Sequence, residues 1–459
     1  MPMLAIRSPY SGETLEEIPL KSAPEALERL ARAKDLAGKP ALPAHRRVQI
    51  LRGASAKVRE RSEELAFLIA REGGKPLTDA RVEVTRAASG LEYLAGEVER
   101  LAGVEVPMGA TQATEGRLAF TTLEPIGVVL AVSAFNHPLN LIVHQAGPAI
   151  AAGCPVLVKP ALETPLSCRA LLDIFREVGL PEGYAELVVC DNAAAEALVS
   201  DARVAFLSFI GSAAVGWKLR RLIAPGTHIS LEHGGAAPVV IDASADLESA
   251  AKLVTKGGYY HAGQVCVSVQ RVMVHEKVHG AFREILRQKV AALKVSDPSL
   301  PETEVGPLIR AREVDRVEAW VNEAVAGGAT LLTGGQRLEH QSYAATLLDA
   351  PRADAKVLNE EVFGPVVSLL PVASLDAAVH EANRSRWAFQ AAVFSNSLDN
   401  AMKVARGLDA AAVMINDHTA FRADWMPFGG RHESGLGTGG LGYAVRDLCT
   451  QKLIVMKLT

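Results

Sequence analysis

One cysteine stands in a run suited to chemistry: Gly263-Gln264-Val265-Cys266-Val267-Ser268-Val269. A thiol attacks only as its thiolate, and with an ordinary pKa of about 8.5 few thiols are ionised at pH 7. Cys266 therefore needs a base, a positive field or oxyanion donors close by. The glycine and glutamine ahead of it are poor core material, and the apolar run Val265 to Val274 predicts a strand that holds the thiol at its start. Three other stretches offer partners: Phe135-Asn136-His137-Pro138-Leu139-Asn140, Leu231-Glu232-His233-Gly234-Gly235 and Glu360-Glu361-Val362-Phe363-Gly364-Pro365. Each is expected in a loop beside a strand, where the backbone can present side chains to a cleft. Alone, Asn136 reads as an Asx turn before Pro138 and Glu232 as a cap; their joint occurrence with Cys266 points to a site.

The surrounding pattern predicts how these loops are held. Helices are expected from Ala23 behind Ser22 and at 43–60, 62–72 and 78–101, after an extended arm over residues 1–10. Short alternating segments at 104–106 and 117–123 predict a projecting hairpin. From Ile126 the order is strand 126–132, loop 133–138, helix 139–152, strand 155–159, helix 164–179, strand 185–190, helix 193–200 and strand 203–209. Then Gly211-Ser212-Ala213-Ala214-Val215-Gly216 opens another helix. Repeated β-α units predict an α/β fold with a doubly wound parallel sheet. Further strands at 238–241, 269–275, 366–371, 391–395 and 412–416 predict a second α/β domain, and Gln451 to Leu458 a final strand with an unpaired edge.

Composition narrows the function. With 459 residues the chain is too long for one core. Its 48 Lys+Arg against 52 Asp+Glu give a net charge of -4, and aromatic residues make up 5%, so neither a basic surface nor a stacking platform for nucleic acid is expected. Five cysteines without a C-x-x-C pair argue against a disulfide framework or a zinc site and suit the cytosol. The expectation is a cytoplasmic protein with a small-molecule partner, no membrane span and no bound metal.

Taken with Pro125-Ile126-Gly127-Val128-Val129, Val158-Lys159-Pro160, Phe209-Ile210-Gly211-Ser212 and Pro427-Phe428-Gly429-Gly430, the four stretches closely resemble the aldehyde dehydrogenase superfamily, and Glu232 precedes Cys266 by the family's 34 residues. The resemblance covers nearly the whole chain. It implies a dinucleotide-binding domain over 1–102 and 124–235, a catalytic domain over 236–440, and oligomerisation strands over 103–123 and 441–459 of a homodimer or homotetramer. It also implies that Cys266 attacks the aldehyde, that the Asn136 amide and the Cys266 N–H hold the oxyanion, and that Glu232 activates the water that hydrolyses the thioester. Ser133, Lys159, Gly211, Ser212, Gly216, Glu361 and Phe363 would bind NAD or NADP. Leu162 stands where many NAD-using members carry a ribose-gripping glutamate, which removes a repulsion against a 2′-phosphate, although Glu163 beside it could restore that bias.

The segments around Cys266 and Phe421-Arg422-Ala423-Asp424-Trp425-Met426 resemble the lactaldehyde, phosphonoacetaldehyde and non-phosphorylating glyceraldehyde-3-phosphate dehydrogenase branch. By that resemblance Arg100, His137 and Arg422 would ring an anionic aldehyde such as phosphonoacetaldehyde, with lactaldehyde, another hydroxyaldehyde or a semialdehyde as alternatives. Val265 replaces an arginine found in strong phosphate binders. Retention of Glu232 argues against a coenzyme A-acylating relative, and Cys266, Glu232 and Asn136 together argue against a non-catalytic one.

Overall fold

The computed structural model describes residues 2–458. Two largely parallel sheets carry the fold. The first has six strands in the order Gly435–Leu436, His228–Glu232, Val204–Ile210, Val128–Val132, Val156–Lys159 and Ala185–Leu187, parallel except for the short Gly435–Leu436 edge. Every residue of Val128–Val132 is buried, as expected for a central parallel strand covered on both faces. The helix Asn140–Ala152 is buried along its whole length because it lies between that sheet and the helices Ala44–Glu60 and Leu77–Arg100.

The second sheet has seven strands in the order Thr330–Thr333, Thr346–Asp349, Val366–Val372, Val269–His275, Ala237–Ile241, Gln390–Phe394 and Ala412–Ile415. Its own core gathers Tyr259, Phe282, Leu286, Tyr343 and the inward side chains of those strands. The α/β class and the sheet positions agree with the sequence reading. Three details differ. The first residues form a hairpin, Met3–Arg7 on Thr14–Pro19, where an arm was expected. Strands Thr330–Thr333 and Thr346–Asp349 had no clear sequence signal. The strand after Cys266 begins only at Val269, so the cysteine sits on a turn that Ser268 N–H closes onto the Val265 carbonyl at 2.9 Å.

A third, small sheet stands apart in the order Cys449–Lys457, Arg117–Pro125 and Glu105–Val106. Its outer strand pairs with Arg117–Pro125 along its whole length and exposes Leu453, Val455 and Met456. No helix among the described residues is long and apolar enough to cross a membrane.

Candidate active site

Register decides much of the site. In the six-stranded sheet Val132 pairs with Lys159 and Phe209, and Ile210 with Glu232. The loops leaving the carboxyl ends of these strands therefore lie side by side, and they deliver Ser133, Asn136, Gly211 and Ser212 to one cleft. Across it the seven-stranded sheet contributes Cys266, Glu361 and Phe363 from segments ahead of its strands and Arg422 from a loop behind one. The cavity between them has a volume of about 730 Å³, and all of these residues line it together with Lys159, Glu232 and His137.

The approach to Cys266 is strained. His261, Ala262 and Gly263 have φ of 48°, 54° and 68°, and left-handed backbone at the two non-glycine residues costs about 1–3 kcal/mol each. Gln264 holds the segment: its side chain accepts from Ile309 N–H at 2.9 Å and donates to the Pro307 carbonyl at 3.2 Å. The Asn136 amide donates to the Gln264 carbonyl at 2.9 Å, which ties the second loop to the first and leaves one of its two N–H groups for another acceptor. Burial pushes the Cys266 thiol up to about 12, with Arg422 opposing the shift and Glu232 and Glu361 adding to it. Glu232 is likewise raised by burial and lowered by Arg422. A carboxyl shifted toward its neutral form is a stronger base when ionised than an ordinary carboxylate.

The other end of the cleft fits a dinucleotide. Ser133 Oγ and one terminal nitrogen of Arg316 are buried with no hydrogen-bond partner among the described residues, and both residues line the cavity. Lys159 is buried and its pKa lowered by desolvation. The Glu361 carboxyl accepts from Gly235 N–H at 3.2 Å and is raised by burial to about 7. Gly234 leaves room for this carboxyl, since a Cβ there would stand 1.4 Å from Glu361 Oε1 and push that side chain aside. Phe363, with φ of 44°, meets Phe135 edge to face at 5.8 Å. Glu163 does line the cleft, but its carboxylate is gripped by Arg310, with Nε at 2.7 Å.

Two expected site residues fall elsewhere. Gly216 faces the His233 ring, whose Nε2 would lie 2.0 Å from an added Cβ, so this glycine makes room for an imidazole and does not line the cleft. Arg100 ends its helix in solvent, paired with Glu97 and 5.8 Å from the Tyr93 ring. The arginine that this helix does send into the cleft is Arg86, which lies roughly 21 Å away at 1.5 Å per residue. Asp79, Glu83 and Arg86 form a charged row at helical spacing on an otherwise apolar face, and that row was the available signal.

Arg86 forks onto Asp424, Nε to Oδ2 at 3.1 Å and Nη2 to Oδ1 at 2.6 Å. His144 joins the same carboxylate at 2.8 Å and touches Arg422 Nη2 at 3.2 Å. Burial would raise the Asp424 carboxyl, but the bonds from His144 and Arg86 hold it below the usual range. Arg422 does not pair with Asp424; it lies over the Phe428 ring at 3.5 Å, with its Nε buried and unpartnered among the described residues. Glu83 caps the helix Asn140–Ala152 by accepting from Leu139 and Asn140 N–H at 2.9 and 3.0 Å, and its other oxygen takes Lys75. His137, bonded to Tyr260, is held neutral by burial and by nearby Lys75, Arg86, His261 and Arg422.

Comparison with known proteins agrees with this geometry. The aldehyde dehydrogenase family model matches residues 2–454. The 3-sulfolactaldehyde dehydrogenase of Priestia aryabhattai is 38% identical over 99% of this chain and 95% of its own length. Glyceraldehyde-3-phosphate dehydrogenase GapN from Methanocaldococcus jannaschii, solved with NADP, superposes with a TM-score of 0.94 at 33% identity over 99% of both chains. Aldehyde dehydrogenase 21 from Physcomitrella patens, solved with the product succinate, has a TM-score of 0.96 at 32% identity, covering 100% of this chain and 95% of its own. The chain belongs to the aldehyde dehydrogenase family and is an NAD(P)-dependent enzyme.

Proposed function

We propose that the protein oxidises a short anionic aldehyde to its acid. The observation that carries this reading is Arg422, a half-buried cation that lines the same cleft as Cys266 and Glu232 and is backed by Arg86 and His144. A guanidinium edge matches the planar or tetrahedral oxyanion of a carboxylate, sulfonate or phosphonate. Phosphonoacetaldehyde belongs to this class, as do 3-sulfolactaldehyde and the semialdehyde of succinate, for which two similar proteins are named or were solved with product.

In the reaction Cys266, its proton lost to solvent, bonds as the thiolate to the aldehyde carbon, and the oxyanion is met by the Asn136 amide and the Cys266 N–H. A bound nicotinamide would supply the hydride acceptor for this step. Glu232 then takes a proton from the water that cleaves the thioester. Lys159, Ser133, Ser212 and Glu361 would hold the dinucleotide, with Phe363 lining the same cavity. On this reading residues 1–102 and 124–235 carry the cofactor and 236–440 the nucleophile. The exposed strand Cys449–Lys457 joins subunits of a cytoplasmic homodimer or homotetramer. The test is kcat/KM on short anionic aldehydes against propionaldehyde. A preference for propionaldehyde removes the anion site from the reading.

A further inference from the structure

The contacts around Arg422 permit a count of charge at the substrate end of the cleft. Arg422 is a guanidinium and can only donate, so His144 Nδ1, 3.2 Å from its Nη2, must accept. The single ring proton of His144 then sits on Nε2, where it donates to Asp424 Oδ1 at 2.8 Å. His144 is therefore neutral by geometry, and burial acts the same way, lowering its pKa to about 4. Arg86 and Arg422 are positive and Asp424 is negative, so the cluster carries one net positive charge.

The other groups at this end add nothing to that charge. Lys75 and Glu83 are buried against each other and cancel, and Lys256 is paired with Asp79. His137 and His261 are held neutral by burial, while Glu232 and Cys266 can only subtract charge when they ionise. Position 265, beside the nucleophile, is a buried valine. Arg86 has two of its donors occupied by Asp424, and the face of Arg422 is covered by Phe428. What remains for a substrate is the uncommitted N–H groups of Arg86 and Arg422, whose charge after the share taken by Asp424 is the single positive charge already counted.

Resting on the anionic-aldehyde reading above, we propose that the site selects tails of a single negative charge, a sulfonate or carboxylate, over tails carrying two, a fully ionised phosphonate or phosphate. A monoanion neutralises the cluster. A dianion leaves one negative charge without a partner in a buried site that also contains Glu232, and burying such a charge is strongly unfavourable.

Sulfoacetaldehyde and phosphonoacetaldehyde test this without any variant, because their tails share size and tetrahedral shape. The sulfonate keeps one charge across the neutral range, whereas the phosphonate gains its second there. The experiment measures kcat/KM of the wild-type enzyme with saturating cofactor on both aldehydes and on propionaldehyde, from about pH 6 to about pH 9. Dividing by the sulfoacetaldehyde profile removes the titrations of the enzyme itself. The two anionic substrates should be comparable near the acid end, and sulfoacetaldehyde should lead by about tenfold or more at the alkaline end. If phosphonoacetaldehyde keeps pace or leads there, while both exceed propionaldehyde, selection by charge number is overturned and the anionic-aldehyde reading stands. If neither exceeds propionaldehyde, the anionic-aldehyde reading falls, and this proposal with it.

Discussion

The two ends of the cleft are built on different principles. At the dinucleotide end, neighbours in one parallel sheet bring Ser133, Lys159 and Gly211 together, because ladder hydrogen bonds set the register of Val132, Lys159 and Phe209. At the substrate end, Arg86, His144 and Asp424 come from two helices and a distant loop, with 338 residues between the ends of the Arg86–Asp424 pair. The first end is held by repeated backbone geometry. The second is held by a few buried charges, where removing one partner strands another.

The comparison can be broken or sharpened by mutation. The largest effect belongs to the residue the ends share: Cys266→Ala should lower kcat/KM at least about 10⁴-fold while NAD(P) still binds in a fluorescence titration. Turnover near wild type would remove the nucleophile from the scheme. Glu232→Gln should cut steady-state turnover by about 10²–10⁴-fold yet leave a burst of reduced cofactor, since the base acts after hydride transfer. Rapid-quench mass spectrometry should then find an acyl group on Cys266, and its absence would count against the role.

Effects at the separate ends are smaller. Arg422→Ala should cost about 10- to 150-fold on an anionic aldehyde and far less on propionaldehyde, the range for a charge-assisted hydrogen bond. An equal loss on both would make Arg422 a purely structural residue. At the dinucleotide end the Glu361 carboxyl, raised by burial to about 7, is neutral below that pH and an acceptor above it. Cofactor affinity should therefore rise by up to about tenfold between pH 6 and pH 8, and Glu361→Gln should flatten the profile. The same shift opposes folding as pH climbs from about 4.5 toward 7, because the native state holds that proton more tightly than the unfolded chain. Smallest of all, Arg100→Ala should leave kcat/KM on every aldehyde within about twofold, as expected for an exposed helix-end residue. A selective loss on anionic substrates would place Arg100 back at the substrate.

Some of this protein was determined by local sequence. Buried runs such as Val128–Val132, separated by helical stretches and glycine turns, dictate parallel β-α units, and residues following those strands must emerge at one rim. That is why Asn136, Lys159 and Ser212 share one rim, whereas their reading as one site with Glu232 and Cys266 came from the resemblance to the aldehyde dehydrogenase superfamily. Gly216, expected at the cofactor, faces the His233 ring, and a glycine that makes room for a ring has the same one-letter signature as a glycine needed by a phosphate. Only the tertiary structure decided between Arg100 and Arg86: both lie on one helix, and the choice depends on where the loop bearing Asp424 docks. It also decided the state of His144, whose proton is placed by an arginine and an aspartate that meet it only after folding. Periodicity encodes which face of a helix is buried, but the partner of a buried charge is a contact between distant segments, and no local pattern carries that information.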